Sequence, residues 1–187
     1  MTTTSNTRKL EALRELKRRE KLAEHQNNFE LFAKEQIKIL PKDSRLGFQP
    51  FVFNDAQTIV NNAIEGQLKE TGKVRAIILK ARQMGLSTYT TGRVFWKSYF
   101  NAYNKSVVMA HDAATSDALF TMSRNIISNM PEQFSPTLKR SNAKEIMFEH
   151  NDSGYRLYTA GSPEAGRGIT PTIAHLSEVS FWLHDEK

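Results

Sequence analysis

Apolar residues near the start of the chain recur at helical spacing. No glycine or proline occurs between Arg8 and Leu40, and the apolar positions of residues 29–40 lie three or four residues apart. This spacing predicts a helix that packs on another element, whereas residues 8–24 predict an exposed basic helix. The pattern leaves open whether that exposed half docks on a partner or is only solvated. We expect a disordered tip and a basic helical arm over residues 1–47.

Helix and strand patterns alternate through the rest of the chain, residues 48–187. Asn54 or Asp55 can cap a helix that Gly72 ends, and Asp112 can cap another. Alternating helices and strands are typical of an α/β fold with a largely parallel sheet and crossover helices. The short apolar runs predict strands at 74–79, 106–110 and 172–176, and a hairpin formed by 146–149 and 155–160.

One edge of this predicted sheet gathers polar residues. Ligands of parallel sheets bind beyond the carboxyl ends of the strands. The loops that follow the three predicted parallel strands should therefore share one edge. These loops contain Lys80–Thr88, His111-Asp112 and Ser177-Glu178.

The loop Lys80–Thr88 has the residues of a phosphate-binding turn. It precedes a predicted helix, whose first backbone N–H groups have no partner inside the helix. Gly85 allows the backbone to approach a phosphate oxygen closely. Ser87 or Thr88 offers a hydroxyl to Mg²⁺. The loop therefore predicts a nucleotide site, although an ordinary strand–turn–helix with a basic surface is left open.

The loop departs from the standard P-loop pattern G-x-x-x-x-G-K-[ST]. Gly85 and Ser87 occupy the last glycine and hydroxyl positions of that pattern. Leu86 stands at the lysine position, and Lys80 stands at the first glycine position. A nucleoside triphosphate needs positive charge near its β- and γ-phosphates. Lys80 and Arg82 are the cations of the loop that can supply this charge.

A nucleotide hydrolase also needs a carboxylate that orients or polarises the attacking water. Glu178 follows the predicted strand 172–176 and has this position. Ser177 stands before it, where an aspartate usually holds Mg²⁺, so its hold on the metal would be weaker or through water. A rival pair, Asp185-Glu186, ends a shorter apolar run near the end of the chain. We favour Glu178.

Composition agrees with an anionic partner. The formal net charge is +6 and the pI is about 9.5, which favours a polyanion such as nucleic acid. Cysteine is absent, and no run of 18 apolar residues occurs, so we expect an intracellular protein without disulfides that does not span a membrane. The histidines have no metal-ligand spacing, and His175 is expected to be structural. The aromatic residues of the helix after the loop are expected to pack on the sheet: Phe95, Trp96, Tyr99, Phe100 and Tyr103.

Three motifs in the same order resemble a known family. They are Gln57 in the segment 53–57, the loop Lys80–Thr88, and Gly166–Thr170 followed by His175–Trp182. Together they are similar to the ATPase domain of phage terminase large subunits, the motors that drive double-stranded DNA into a procapsid. The similarity runs from about Phe48 to the end of the chain. It implies a P-loop NTPase-type fold with a mostly parallel sheet flanked by helices.

The resemblance implies residues that bind ATP and Mg²⁺. Gln57 matches the glutamine that contacts adenine, and Lys80 matches the lysine that some members carry at the start of the loop. Arg82 matches the loop arginine of the family. Ser87 matches the hydroxyl that binds Mg²⁺, with Thr88 beside it. The resemblance assigns the rest of the loop to nucleotide binding as well: Ala81, Gln83, Met84, Gly85 and Leu86.

The resemblance also implies the groups that act in hydrolysis. Glu178 matches the catalytic carboxylate, and Ser177 stands at the second metal-binding position. Arg82 or Arg167 would act on the ATP of a neighbouring subunit, and which of the two does so stays open. The implied partners are double-stranded DNA, a portal protein, a small terminase subunit and further copies of the chain in a ring, in the host cytoplasm.

The chain also departs from the family. Leu86 and Ser177 remove charged contacts, so ATP binding and hydrolysis by this chain alone are expected to be weak or absent. The family's coupling motif, the rest of its sheet and its nuclease domain have no counterpart before Lys187, which predicts an incomplete ATPase domain over residues 48–187. One alternative is a non-catalytic assembly or DNA-binding module that keeps the ATPase fold. A helicase fragment is a third interpretation, disfavoured because Ser177 replaces the aspartate of the usual Asp-Glu pair.

Overall fold

The computed structural model describes residues 2–41, 43–142, 144–162, 168 and 170–182, and the side chains from residue 7 onwards. These residues form five α-helices and seven strands, with short 3₁₀ turns at 44–46, 132–134 and 179–181. The helices are α1 (Thr2–Asn27), α2 (Phe29–Gln36), α3 (Asp55–Thr71), α4 (Leu86–Phe100) and α5 (Ala113–Asn129). The strands are β1 (Lys38–Ile39), β2 (Gln49–Pro50), β3 (Lys105–Ala110), β4 (Leu138–Ser141), β5 (Glu145–Phe148), β6 (Gly154–Thr159) and β7 (Ile173–Leu176).

The main sheet has five strands in the order β4-β5-β6-β3-β7. Strand β3 pairs in parallel with β6 on one side and with β7 on the other. Strands β4, β5 and β6 pair antiparallel, which confirms the predicted hairpin between β5 and β6. The α/β class is therefore confirmed, but the sheet is mixed and not mostly parallel. Strands β1 and β2 form a separate antiparallel pair.

The strand predicted at 74–79 is wrong for this structure. Residues 74–79 form no strand, and the side chains of Ile77 and Leu79 are fully exposed. The Gln67 side chain binds both backbone groups of Arg75, so this segment is attached to α3 instead of a sheet. An apolar run forms a strand only beside another strand with free backbone groups. Strand β7 pairs with β3 on one side and is an edge strand of the described sheet, and residues 74–79 do not pair with its free side.

Helix α4 runs antiparallel to β3. Its last residue, Phe100, is joined to Lys105 by a short turn, so the end of α4 lies near the beginning of β3. Helix α4 also contacts β6 and β7, which run in the same direction as β3. The first turn of α4 therefore lies toward the carboxyl ends of these strands. Helix α5 begins at the same edge, immediately after β3, and Asp112 caps it as predicted.

An aromatic core packs α4 against the sheet and the arm. Phe95 is fully buried, and Trp96 and Tyr99 are nearly so, which confirms the predicted packing role of this helix face. The Phe95 ring meets Phe148 of β5 edge to face, with 5.6 Å between ring centroids. Such contacts add to the burial of large apolar surfaces. Tyr103, beyond the end of α4, is instead exposed.

The arm is two helices and not one. Helix α1 begins at Thr2, inside the stretch predicted to be disordered, and Asn28 separates it from α2. The Asn28 side chain accepts a hydrogen bond from the backbone N–H of Leu31, which is the usual cap of a new helix. The end of α1 is held by the core, because Trp96 Nε1 donates to the carbonyl of His25 at 2.8 Å. No helix among the described residues is long and apolar enough to cross a membrane.

His175 of β7 gives a prediction for the pH dependence of stability. Burial lowers the pKa of His175 to about 4, and its buried Nδ1 has no hydrogen-bond partner among the described residues. The unfolded chain, with an imidazole pKa near 6.5, binds the proton first as the pH falls. The folded state therefore loses up to about 3 kcal/mol between pH 6.5 and pH 4 through this residue.

Replacing His175 by leucine should remove this loss. We expect the free energy of unfolding of His175→Leu, measured with urea, to exceed that of the wild type progressively from pH 6.5 to pH 4. At pH 8 the imidazole is neutral in both states, so the difference there is the pH-independent reference. Parallel curves for the two proteins across this range would show that His175 is not held neutral by the fold.

Candidate active site

The loop before α4 turns sharply into the helix. Gln83 and Gly85 have left-handed backbone conformations, with φ of 66° and 71°. Gly85 is the N-cap residue of α4, and no side chain caps the first turn from that position. Gly85 therefore supplies no side-chain acceptor to the N–H groups of this turn. Such a helix start attracts anions.

Helix α3 clamps this loop through Gln57 and Asn54. The Gln57 side chain is 3% exposed, and its Nε2 donates to the carbonyl of Gly85 at 2.8 Å. Its Oε1 accepts from the N–H of Asn54 at 2.9 Å, and Asn54 Nδ2 donates to the carbonyl of Met84 at 3.3 Å. A Cβ on Gly85 would lie 2.7 Å from Gln57 Nε2 and would displace this amide, and the φ of 71° also favours glycine at this position.

Gln57 therefore has a role that the sequence did not predict. Both of its polar atoms bind backbone groups, one in the N-terminal capping box of α3 and one in the loop. Its predicted contact with adenine stays a prediction. The capping box itself, an Asn with a Gln three residues later, is a readable sequence signal.

The loop presents its cations to solvent. Lys80 and Arg82 are exposed, and Ser87 and Thr88 on the first turn of α4 are half-buried. Leu86 is 5% exposed and belongs to the packed side of the helix. The residue at the usual lysine position thus contributes packing and not charge. The other loop residues Ala81, Gln83 and Met84 are exposed.

Glu178 lies two residues beyond the end of β7, after Ser177. Its backbone is left-handed, with φ of 55° and ψ of 43°, a conformation that costs free energy in a residue other than glycine. The preceding residue, Ser177, is 6% exposed, and its N–H donates to the carbonyl of Met109 in β3 at 2.8 Å. Trp182 Nε1 donates to the Ser177 carbonyl at 3.1 Å. The position of Glu178 is thus fixed from the backbone.

The Glu178 carboxylate meets His111, the residue after β3. Glu178 Oε2 lies 3.1 Å from His111 Nδ1, and Asp112 Oδ2 lies 2.7 Å from His111 Nε2. Asp112 Oδ1 accepts from the backbone N–H of Thr115 at 2.7 Å. This N-cap hydrogen bond, with the neighbouring imidazole, holds the pKa of Asp112 below its usual value.

The topology places part of the predicted site toward one edge of the sheet. Glu178, His111 and the first turn of α4 lie at the carboxyl ends of β7 and β3. Among the described residues, the ion-pair partner of Glu178 is His111 and not Lys80 or Arg82. Arg167 and the rival pair Asp185-Glu186 lie outside the described residues.

The contact between His111 and Glu178 was missed by sequence reasoning. The two loops were expected at one edge, but a histidine after a strand has no spacing signal that names its partner. Only the parallel pairing of β3 with β7, in which Met109 stands opposite Leu176, places the two loops side by side.

The residues of this edge include groups that could hold a phosphate. The described part of the chain holds no group of three or more His, Asp or Glu side chains that could bind a metal by itself. The start of α4, where Gly85 provides no side-chain cap, and the exposed Lys80 and Arg82 suit phosphate oxygens. A hydroxyl such as that of Ser87 can complete the shell of a phosphate-bound Mg²⁺.

A separate cavity of about 280 Å³ opens farther along the sheet, near Arg156 and Ser116. Its Arg156 is paired with Glu145 at 2.8 Å. The cavity lies on the side of β6, away from β7, and neither the loop nor Glu178 lines it. It is therefore not the site that the loop predicts.

No protein-family model matches this chain, and no curated protein matches it either.

Proposed function

We propose that this chain is the ATPase part of a viral DNA-packaging motor of the terminase large-subunit type. In this function ATP hydrolysis is coupled to the movement of double-stranded DNA into a procapsid. The observation that carries the proposal is the common sheet edge of the cationic loop before α4 and the strained Glu178 after β7. A phosphate loop and a carboxylate on one edge are the two parts that a nucleotide hydrolase needs.

The phosphate-binding half of the proposed site would consist of two positively charged side chains and the backbone N–H donors of α4. Lys80 and Arg82 would neutralise the β- and γ-phosphates, and the first N–H groups of α4 would bind their oxygens. Ser87 would bind Mg²⁺ directly, and Ser177 would act on it through water. Bound Mg²⁺ would neutralise charge that develops on the phosphates.

The acid half of the site would act on water. Glu178 would orient the attacking water and take its proton, which is the role of a general base. Arg82 or Arg167 of a neighbouring copy would stabilise the charge on the transferred phosphoryl group. The motor would then work as a ring of copies of the chain. Its other partners would be DNA, a portal protein and a small terminase subunit in the host cytoplasm.

The finer fold assignment, a P-loop NTPase sheet, belongs to the same proposal. It is supported by the order of a loop, a helix, β3 and β7, with β3 and β7 parallel and adjacent. The net charge of +6 supports a polyanionic partner.

One observation favours a second candidate, a non-catalytic assembly or DNA-binding module with the same fold. Leu86 is buried at the position where P-loops carry the lysine that reaches the phosphates. A module of this kind would bind DNA and not nucleotide.

Thermal unfolding with and without Mg-ATP separates these candidates. A ligand that binds only the folded state raises its stability by about 2.7 kcal/mol at 100 times its Kd. For a chain of this size that corresponds to a rise of roughly 5–10 °C in Tm. We expect this rise with Mg-ATP in the wild type, and its loss when Lys80 and Arg82 are both replaced by alanine.

The matched control replaces Lys69, an exposed lysine on α3, by alanine, and it should keep the full rise. A Tm that rises with double-stranded DNA but not with Mg-ATP would select the non-catalytic module instead.

A further inference from the structure

The imidazole of His111 lies between two carboxylates at the proposed catalytic edge. We propose that His111 is a positioning residue that holds the Glu178 carboxylate in place, and that Asp112 in turn holds His111. The role of this arrangement in catalysis rests on the proposed function, because Glu178 must act on water for its orientation to matter. The contacts themselves do not depend on that function.

The contacts form a chain from α5 to the acid. Asp112 Oδ1 is fixed by the N–H of Thr115, and its Oδ2 lies 2.7 Å from His111 Nε2. The other ring nitrogen, Nδ1, lies 3.1 Å from Glu178 Oε2. Nδ1 is buried and makes no geometrically aligned hydrogen bond within the described residues, so this ion-pair contact is its polar partner there. Glu178 is thereby linked to the first turn of α5 as well as to its own loop.

The ring is held from its sides as well. The His111 ring lies 5.6 Å from that of Phe181, measured between centroids, and Phe181 belongs to the 3₁₀ turn that follows Glu178. Met109, two residues before His111, accepts the backbone hydrogen bond of Ser177. The loops after β3 and β7 are thus joined by one backbone bond, one ring contact and one ion pair.

This arrangement has a direct consequence for the acid. With Oε2 facing His111, the Glu178 carboxylate has a defined orientation and Oε1 remains for a water molecule. A third group that holds a catalytic base in its reactive orientation lowers the conformational entropy that is lost on reaching the transition state. His111 would therefore affect turnover more than substrate binding.

Steady-state ATP hydrolysis by His111 variants tests this role. We expect His111→Ala to lower kcat at least about tenfold with little change in KM, because the phosphate loop is untouched. Asparagine places its Nδ2 donor near the position of the imidazole Nδ1, so His111→Asn should recover much of kcat. Asp112→Asn should also lower kcat without lowering Tm, since asparagine is an equally good N-cap for α5. An unchanged kcat in His111→Ala, or a loss in KM alone, overturns the proposal.

A measurement without nucleotide separates this inference from the proposed function. The imidazole ¹⁵N resonances of His111 report on its two neighbours directly. We expect Glu178→Gln to shift the His111 Nδ1 resonance at constant pH, and Glu149→Gln, a change at an exposed acid on another loop, to leave it unchanged. No shift in Glu178→Gln overturns the positioning contact even if the protein hydrolyses ATP. A shift in a protein that neither binds nor hydrolyses ATP supports the contact and refutes the proposed function.

Discussion

Replacing Glu178 by glutamine should lower the rate of ATP hydrolysis at least about 100-fold and leave Mg-ATP binding intact. A positioned general base contributes roughly 100- to 10,000-fold to a rate, and glutamine keeps the size of the side chain but cannot accept the proton of water. Phosphate release measures the rate, and the rise in Tm with Mg-ATP measures binding. The expected loss in kcat without a loss in binding is typical of a residue that acts only on the transition state.

The rival acid supplies the comparison for this experiment. Glu186→Gln changes the last carboxylate of the competing Asp-Glu pair, and we expect it to hydrolyse ATP at the wild-type rate. If Glu186→Gln loses the activity and Glu178→Gln keeps it, the catalytic acid has been assigned to the wrong residue. If both variants keep the wild-type rate, neither acid is the base.

The helix starts and the hairpin were predicted from local signals. Asn54 and Asp112 cap α3 and α5 as predicted, because a side-chain oxygen at the N-cap acts within a few residues. The β5–β6 hairpin follows from two apolar runs joined by a short polar turn. These features depend on neighbours in the chain, so their physics can be read from the sequence alone.

The predictions that failed concern features that depend on residues far apart in the chain. The run 74–79 has the composition of a strand, but a strand forms only by pairing with another strand, and here Arg75 is bound by Gln67 of α3 instead. The break at Asn28 was missed because an asparagine is tolerated inside a helix and also caps a new one. The Gln57 bond to Gly85 spans 28 residues, and no periodicity predicts it.

The candidate site shows the same division. Lys80–Thr88 and Glu178 could be named from their residue types, and the topology brings both to one edge. The backbone strain could not be predicted from the sequence. Gln83 and Glu178 have left-handed backbones although they are not glycine, and one lies in each half of the site. Such conformations cost on the order of 1–3 kcal/mol and persist where surrounding contacts impose them. For Glu178 these contacts are the backbone bond of Ser177 and the ion pair with His111.

Gly154 at the start of β6 should tolerate no side chain. A Cβ there would lie 2.1 Å from the carbonyl oxygen of Ile146 and 2.9 Å from the Cα of Met147, both backbone atoms of the neighbouring strand β5. A flexible side chain could move aside, but a paired strand moves only by breaking its hydrogen bonds with β6. Ile146 and Tyr155, which stand opposite each other in this pairing, are buried in the core and would lose their packing.

We therefore expect Gly154→Ala to lower the free energy of unfolding by more than about 3 kcal/mol, or to prevent folding, as measured by urea denaturation. Gly66→Ala is the matched control, since Gly66 lies inside α3 with no heavy atom within 4 Å of an added Cβ. Alanine there should stabilise the protein by up to about 1 kcal/mol, because glycine is a poor helix former. Both changes add the same methyl group, so a large loss at Gly154 alone is attributed to its close contact with β5 and not to the loss of glycine as such. A loss below about 1 kcal/mol for Gly154→Ala would mean that the two strands do not approach each other so closely at this position.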